Sequence, residues 1–283
     1  MSSEETREFS DLHSHLVPGV DDGARTVEEA LEGVGRLWDA GARTIVTTPH
    51  LDGSLTQTPS DLELRLQEID TSWSILVEAC GQAFPKLVLL RGQEVMLDVP
   101  DPILTDPRVR LAETSYVLVE WPRLQVPPST IQVLSRLLDQ GVKIILAHPE
   151  RYRGFDPELN LAGEWRKLGA LLQVNYGSLV GRYGDAPRKR AWTFLERGWV
   201  DLFSTDFHGR PHLPLLIHEA EEALGRFGGD EQFELLARLN PARALEGQEL
   251  LPVPALAGRR GLREKVLGII RGTHKRLRTH DRE

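Results

Sequence analysis

Short, dense apolar runs alternate along the chain with longer stretches whose apolar residues recur every three or four positions. Residues 43–47, 86–91, 115–120 and 142–147 carry the runs Ile45-Val46, Leu87-Val88-Leu89-Leu90, Tyr116-Val117-Leu118-Val119 and Ile144-Ile145-Leu146. Such runs have the length and bulk of buried strands. With 9–13, 170–175 and 200–204 they predict seven strands. Thr26-Val27-Glu28-Glu29 has the form of a capping box opening a helix to about Asp39, and Ser60-Asp61-Leu62-Glu63 is a second, just after Pro59. Residues 128–140, 158–168 and 187–197 predict three more helices. Two others, 214–226 and 230–239, follow the last strand, and Asn240-Pro241 then reads as a turn. Gly41, Gly141, Gly169 and Gly198 each fall between a helix and a strand, where a helix-ending glycine belongs.

Strand–helix alternation predicts an α/β protein with a parallel sheet. Seven such units can close into a barrel or remain an open doubly wound sheet, and periodicity does not separate the two. At 283 residues, the chain is long enough for one large domain.

The charge pattern divides the chain. Residues 258–283 hold nine Lys/Arg against three Asp/Glu, whereas the whole chain is at −8, so the body before them carries −14. An α/β body over 1–250 and a basic tail over 251–283 are therefore expected. Leu262, Val266, Ile269 and Ile270 fall on one helical face of that tail. This fits an amphipathic helix for a partner or an anionic membrane surface, and equally a frayed or self-docking end. The acidic body argues against a nucleic-acid track. The first ten residues lack a basic segment followed by an apolar one, and no apolar run reaches the roughly 18–20 residues of a membrane span. A cytoplasmic location is expected. The single cysteine, Cys80, excludes an intrachain disulfide, and Lys86 stands where a cysteine-based phosphatase needs arginine; Cys80 is expected to be a packed helix residue.

The candidate chemistry is positional. The first predicted strand runs into Asp11-Leu12-His13-Ser14-His15 and then Asp21-Asp22-Gly23. The second leads to Thr48-Pro49-His50, the third to Gly92-Gln93-Glu94 and the fourth to Glu120. The fifth leads to His148-Pro149-Glu150-Arg151 and the seventh to Ser204-Thr205-Asp206-Phe207-His208. Six of seven strands thus deliver His, Asp or Glu to the edge where α/β proteins form their sites. Alternate side chains on a strand share a face, so His13 and His15 can grip one ion. Imidazoles mixed with carboxylates suit Zn²⁺, Mn²⁺ or Fe. Eight or nine donors exceed one tetrahedral site and imply a multinuclear cluster. His212 and His218 read as surface residues. Trp121 and Tyr176 read either as pocket walls or as ordinary packing.

These residues resemble the polymerase and histidinol phosphatase (PHP) superfamily. The extended segments from His13 to Gly23 and from His148 to Tyr152 are similar to its bacterial capsule-associated, metal-dependent tyrosine phosphatases (CpsB/YwqE-like). The resemblance spans about residues 11–241. It implies a distorted seven-stranded (β/α) barrel with C-terminal helices and three divalent ions, Mn²⁺ first, with Fe, Zn or Co as alternatives. Carried over by position, the first ion takes His13, His15, Glu94 and Asp206. The second takes Glu94, Glu120 and His148, and the third Asp22, His50 and His208. Arg151 resembles the family's phosphate-binding arginine, and Arg210 is the candidate for a second one on a shortened segment. Asp206 or His208 is the candidate proton relay to the leaving group. The implied activity is phosphotyrosine hydrolysis, on the C-terminal tail of a bacterial tyrosine kinase or another protein of capsular polysaccharide synthesis. A histidinol-phosphatase-like small-molecule phosphatase, a nuclease and a degenerate metal-binding regulator are the alternatives. A homo-oligomer is compatible with the sequence.

Overall fold

The computed structural model describes residues 8–257. The chain runs β1 (Phe9–Ser14), α1 (Val27–Asp39), β2 (Ala42–Thr47), β3 (His50–Asp52), α2 (Pro59–Ala83), β4 (Val88–Arg91), β5 (Glu94–Met96), β6 (Tyr116–Glu120), α3 (Thr130–Leu138), β7 (Lys143–Ala147), α4 (Asn160–Leu168), β8 (Leu171–Asn175), α5 (Tyr176–Leu179), α6 (Asp185–Glu196) and β9 (Leu202–Ser204). Then come α7 (Ile217–Gly225), α8 (Asp230–Glu234), one π turn (Leu235–Leu239) and α9 (Asn240–Leu245).

All named strand pairs are parallel. Nine strands make seven staves, because the second and third predicted strands are each broken. Pro49 cannot donate to a ladder, and β2 stops just before it. Gly92 breaks the neighbouring stave at the same level; a Cβ there would lie 2.8 Å from the Leu111 side chain. So β2 pairs with β4 below the break and β3 with β5 above it, with His50 opposite Glu94. The last stave returns to the first. Asp206 N–H donates to His13 O (3.0 Å) and His15 N–H to Phe207 O (2.8 Å). The sheet is therefore a closed, distorted seven-stave barrel, which settles the choice that periodicity left open.

Period-two alternation then sorts the side chains. Val117, Val119, Ile144, Leu146, Leu172, Val174 and Phe203 face outward and join the core under the helices. Leu12, Val46, Leu118, Ile145, Ala147 and Leu202 form a second cluster within the barrel, capped by Ala244 of α9. Along β6, β8 and β9 the inward positions turn from apolar to polar toward the C-terminal end: Leu118 to Glu120, Leu171 to Gln173 and Asn175, Leu202 to Ser204. The barrel has an oily floor and a polar mouth.

Three local expectations are corrected. Pro59 at the first helical position starts α2 with Thr58 as its cap, so the Ser60 box does not form and Glu63 pairs with Arg108 (2.7 Å). Asn240-Pro241 is not a turn. The π turn carries Asn240 N–H to Leu235 O and absorbs the missing proline donor, while the buried Asn240 amide binds Asp201 O and Leu251 O, both at 3.0 Å. Residues 251–257 lie against the barrel, with Leu256 buried and its N–H on Leu195 O. The basic segment 258–283 lies outside the described residues. Cys80 is buried in α2, where burial pushes its thiol up to about 11. No helix among the described residues is long and apolar enough to cross a membrane.

Candidate metal centre

The strand ends bring all nine predicted ligands to one end of the barrel. The register shift between Asp11 and Ser14 lets β1 present both His13 and His15 there. Asp11 itself is buried and ties this strand to the last one, accepting from Thr205 N–H (2.9 Å) and Ser204 Oγ (3.0 Å). His148 and Asp206 follow their strands in the left-handed backbone region (φ 35° and 51°). For a non-glycine residue that conformation costs on the order of 1–3 kcal/mol, and it clusters at functional sites.

The side chains then converge. His13 Nε2 lies 3.1 Å from His15 Nε2 and 3.1 Å from Glu94 Oε2. Glu94 Oε2 is also 3.3 Å from His15 Nε2 and 3.2 Å from His50 Nδ1, while Glu94 Oε1 is 3.1 Å from His148 Nε2. Glu120 lies 3.6 Å from His50 and 3.8 Å from His148. Asp22 Oδ1 faces His50 Nε2 (3.3 Å) and His208 Nε2 (3.4 Å). By proximity the donors fall into overlapping groups. One is His13, His15 and Glu94, and another His13, His148 and Asp206. The others are His50, Glu94 and Glu120, and His15, Asp22, His50 and His208.

Tautomers decide what such a cluster can hold. His13 Nδ1 meets Gln173 Oε1 (2.8 Å), His15 Nδ1 meets Asp21 Oδ2 (2.8 Å) and His208 Nδ1 meets the Asp206 carbonyl (3.0 Å). Each partner atom accepts, so each Nδ1 carries a proton and each Nε2 is turned into the cluster, where loss of its own proton leaves a lone pair for a cation. The Nε2 atoms of His13 and His15 therefore face each other and the buried Glu94 Oε2 at 3.1–3.3 Å. Divalent cations fit this arrangement; an apolar or anionic ligand does not. Gln173 and Asp21 are placed to act as outer anchors of two candidate ligands, His13 and His15. Replacing Gln173 with Leu, or Asp21 with Ala, should weaken metal affinity about 10–100-fold with the fold retained, read by competition with a chelating dye. Unchanged affinity would refute the anchoring role.

The electrostatics agree. Burial alone would lower the pKa of His15, but hydrogen bonds to Asp206, Asp21 and Glu94 outweigh it and raise it well above the imidazole range. His13 is raised likewise by Glu94 and Asp206 against its burial. Burial opposes ionisation of Glu94 and Asp206, yet the surrounding imidazoles hold both well below the carboxylate range. Glu120, desolvated and beside Glu94, is pushed up to about 7. In the absence of a cation the carboxylates draw protons onto His13 and His15; a bound cation would take the place of those protons.

Arg151 lies at the same mouth. Its guanidinium pairs with Asp206 and sits 4.4 Å over the Tyr183 ring. It lines an open pocket of about 230 Å³ with Asp22, His50, Glu94, Glu120 and His208. Arg210 is turned elsewhere, toward Glu29 Oε2 (3.3 Å) and the Asp22 carbonyl (3.0 Å), and is not among the pocket-lining residues. Trp121 and Tyr176 are buried core residues, and His212 and His218 are exposed. Sequence reading misses Gln173 and Asn175, whose Nδ2 donates to Asp206 Oδ2 (3.0 Å). Both lie on β8, the one stave that supplies no acid or imidazole. Their i, i+2 spacing toward the strand's end is the available signal. It also misses Tyr183 and the pocket-lining Arg123.

Comparisons with known proteins place this geometry. The family model for capsular polysaccharide synthesis, CpsB/CapC, matches residues 9–246. The tyrosine-protein phosphatase CpsB of Streptococcus agalactiae is 28% identical over 229 residues, covering 78% of this chain and 92% of that protein. The tyrosine-protein phosphatase YwqE of Bacillus subtilis is 26% identical over 207 residues, covering 70% and 76%. Among solved structures, those of YwqE from B. subtilis and CpsB from Streptococcus pneumoniae, described as unique metal-dependent tyrosine phosphatases, include a match with TM-score 0.71. That match is 25% identical and covers 87% of this chain and 98% of the other. The phosphotriesterase homology protein of Escherichia coli, with phosphate in its active site, matches at TM-score 0.51 and 13% identity over 84% and 99%, a likeness of fold alone.

Proposed function

The chain belongs to the CpsB/CapC family of capsular polysaccharide synthesis, and from that premise we infer that it is a metal-dependent tyrosine-protein phosphatase, cleaving the phosphate monoester of phosphotyrosine. The observation that carries this reading is the convergence of oriented imidazole lone pairs and carboxylates beside the Arg151 guanidinium.

We propose three divalent cations, Mn²⁺ first. His13, His15, Glu94 and Asp206 would hold one, Glu94, Glu120 and His148 the second, and Asp22, His50 and His208 the third. Bound cations would supply Lewis acidity at the phosphoryl group and a nucleophile from water near neutral pH. The protein's own part is orientation. Gln173 and Asp21 fix two imidazoles so that little reorganisation remains when substrate arrives. Arg151 offers a planar fork of donors to the non-bridging phosphate oxygens. Asp206 and the Tyr183 ring set the position of that fork from two sides. A phenolate leaves with little protonation, since tyrosine titrates near 10, whereas a serine alkoxide needs a stronger acid. Asp206, held ionised by His13, His15 and Arg151, is a poor proton donor, and His208, with Nδ1 on the Asp206 carbonyl and Nε2 toward the third cation, has no free nitrogen for a relay, so the leaving phenolate departs without a proton from either. Arg210, in its present pairing, serves the Asp22 loop rather than the phosphate. The proposed partner is a phosphotyrosine protein, with the tail of a bacterial tyrosine kinase as the specific case.

The test uses paired peptides. Mn²⁺-loaded protein should release phosphate from a phosphotyrosine peptide at least about tenfold faster than from the phosphoserine counterpart, judged by kcat/KM. Equal rates, or a preference for histidinol phosphate over both, would move the protein to a small-molecule phosphatase.

A further inference from the structure

We propose that Arg123 is a specificity determinant of this site, binding an acidic side chain next to the phosphotyrosine, so that acidic phosphotyrosine segments are the preferred substrates. The inference rests on the phosphatase reading and narrows its substrate class. Arg123 lines the same pocket as Arg151 and is exposed. The other arginine lining the pocket, Arg151, is engaged with Asp206. Arg123 has no ion pair or side-chain hydrogen bond among the described residues.

Its backbone is held. Arg123 and Leu124 both occupy the left-handed region (φ 56° and 53°), which non-glycine residues visit mainly where the surroundings impose it. The turn is closed by Leu124 N–H on Trp121 O (3.2 Å) and Gln125 N–H on Pro122 O (3.1 Å). A short ladder then ties it to the Arg151 loop, with Arg153 N–H on Leu124 O (2.8 Å) and Val126 N–H on Arg153 O (3.0 Å). Arg123 and Arg151 therefore sit on two loops joined by backbone hydrogen bonds. Leu124, the apolar residue among those lining the pocket, offers a surface for a phenyl ring, with Arg123 beside it.

The surrounding charge points the same way. Residues 121–126, 151–154 and 181–190 carry seven Lys/Arg and one Asp in a chain whose net charge is −8. The third of these segments meets the second where Arg151 lies over Tyr183. A basic rim on an acidic protein attracts acidic segments and repels basic ones, and the effect is screened by salt. Because Arg151 already serves the phosphoryl group, a free guanidinium one loop away suits the residue flanking it.

The experiment compares Mn²⁺-loaded protein on three phosphotyrosine peptides, flanked by Asp/Glu, by Ala or by Lys, with para-nitrophenyl phosphate as a reference. The acidic peptide should exceed the neutral one in kcat/KM by roughly three- to tenfold at low salt, with the basic one lowest. At about 0.5 M salt the ratio should approach one. Arg123→Gln should collapse the ratio, and Arg123→Lys should keep most of it. Arg123→Gly, which suits the left-handed backbone, should collapse it with no loss of melting temperature, separating recognition from folding. An acidic-to-neutral ratio of one in the wild type, or one unchanged in both Arg123→Gln and Arg123→Gly, would overturn the proposal. Failure of the wild type on every peptide and on para-nitrophenyl phosphate would instead bring down the phosphatase reading beneath it.

Discussion

Stripping the protein with a chelator is expected to silence it: hydrolysis of para-nitrophenyl phosphate should fall by at least about a thousandfold, and added Mn²⁺ should restore it. Glu94→Ala should reproduce the loss without chelator, because Glu94 lies within 3.3 Å of nitrogens from His13, His15, His50 and His148 and is shared between neighbouring groups. Its removal opens more than one site at once, so the cost should match that of removing several ligands rather than one. Metal content measured on the purified variant should drop in parallel. Reloading should also depend on pH with a definite sign. The imidazoles of His13 and His15 titrate above their ordinary 6.5 when no cation is bound, so protons occupy them at pH 6 and compete with metal. Affinity should therefore rise from pH 6 to pH 8.5, as read by dye competition. Turnover that survives chelation in metal-free protein would rule out this chemistry.

Arg151→Ala should lower kcat/KM for phosphotyrosine peptide by about 10²–10³-fold while metal content stays near that of the wild type. In the proposed role the residue would offer charge-assisted, two-pronged hydrogen bonds to phosphate, which are stronger than neutral ones. Arg151→Lys should recover only part of the loss, since a point charge lacks the planar fork. The split between activity and metal content is the useful reading. Arg151 pairs with Asp206, so a merely structural role would disturb that ligand and reduce the bound metal. Equal losses of metal and of activity would assign Arg151 to the cluster rather than to the substrate.

The candidate ligand types are legible in the amino-acid sequence, because imidazole and carboxylate at strand ends are rare enough together to stand out. His50, Glu94, Glu120 and His148 each follow a run of apolar residues that identifies a strand, His13 and Asp206 follow shorter β-rich segments, and strand polarity fixes which end they occupy. The same reasoning is blind to Gln173 and Asn175. A neutral amide at a strand end carries no signal of its own, and its role exists only when another chain segment brings His13 or Asp206 within reach. Arg210 shows the converse. Its sequence position suggests a phosphate ligand, but Glu29 and the Asp22 carbonyl, distant in sequence, claim its guanidinium.

Local pattern by itself determined the alternation of strands and helices, the seven staves, the helix-ending glycines and the residue types at the polar mouth, since each depends on near neighbours along the chain. Closure of the barrel was decided only in three dimensions, through hydrogen bonds joining residues 13–15 to 206–207. So were the aligned breaks at Pro49 and Gly92, which set His50 against Glu94, and the hydrogen bonds at Nδ1 that aim the Nε2 atoms of His13 and His15 at one another. These depend on register and on partners far apart in sequence, and a one-dimensional pattern holds no record of which distant atom will stand opposite.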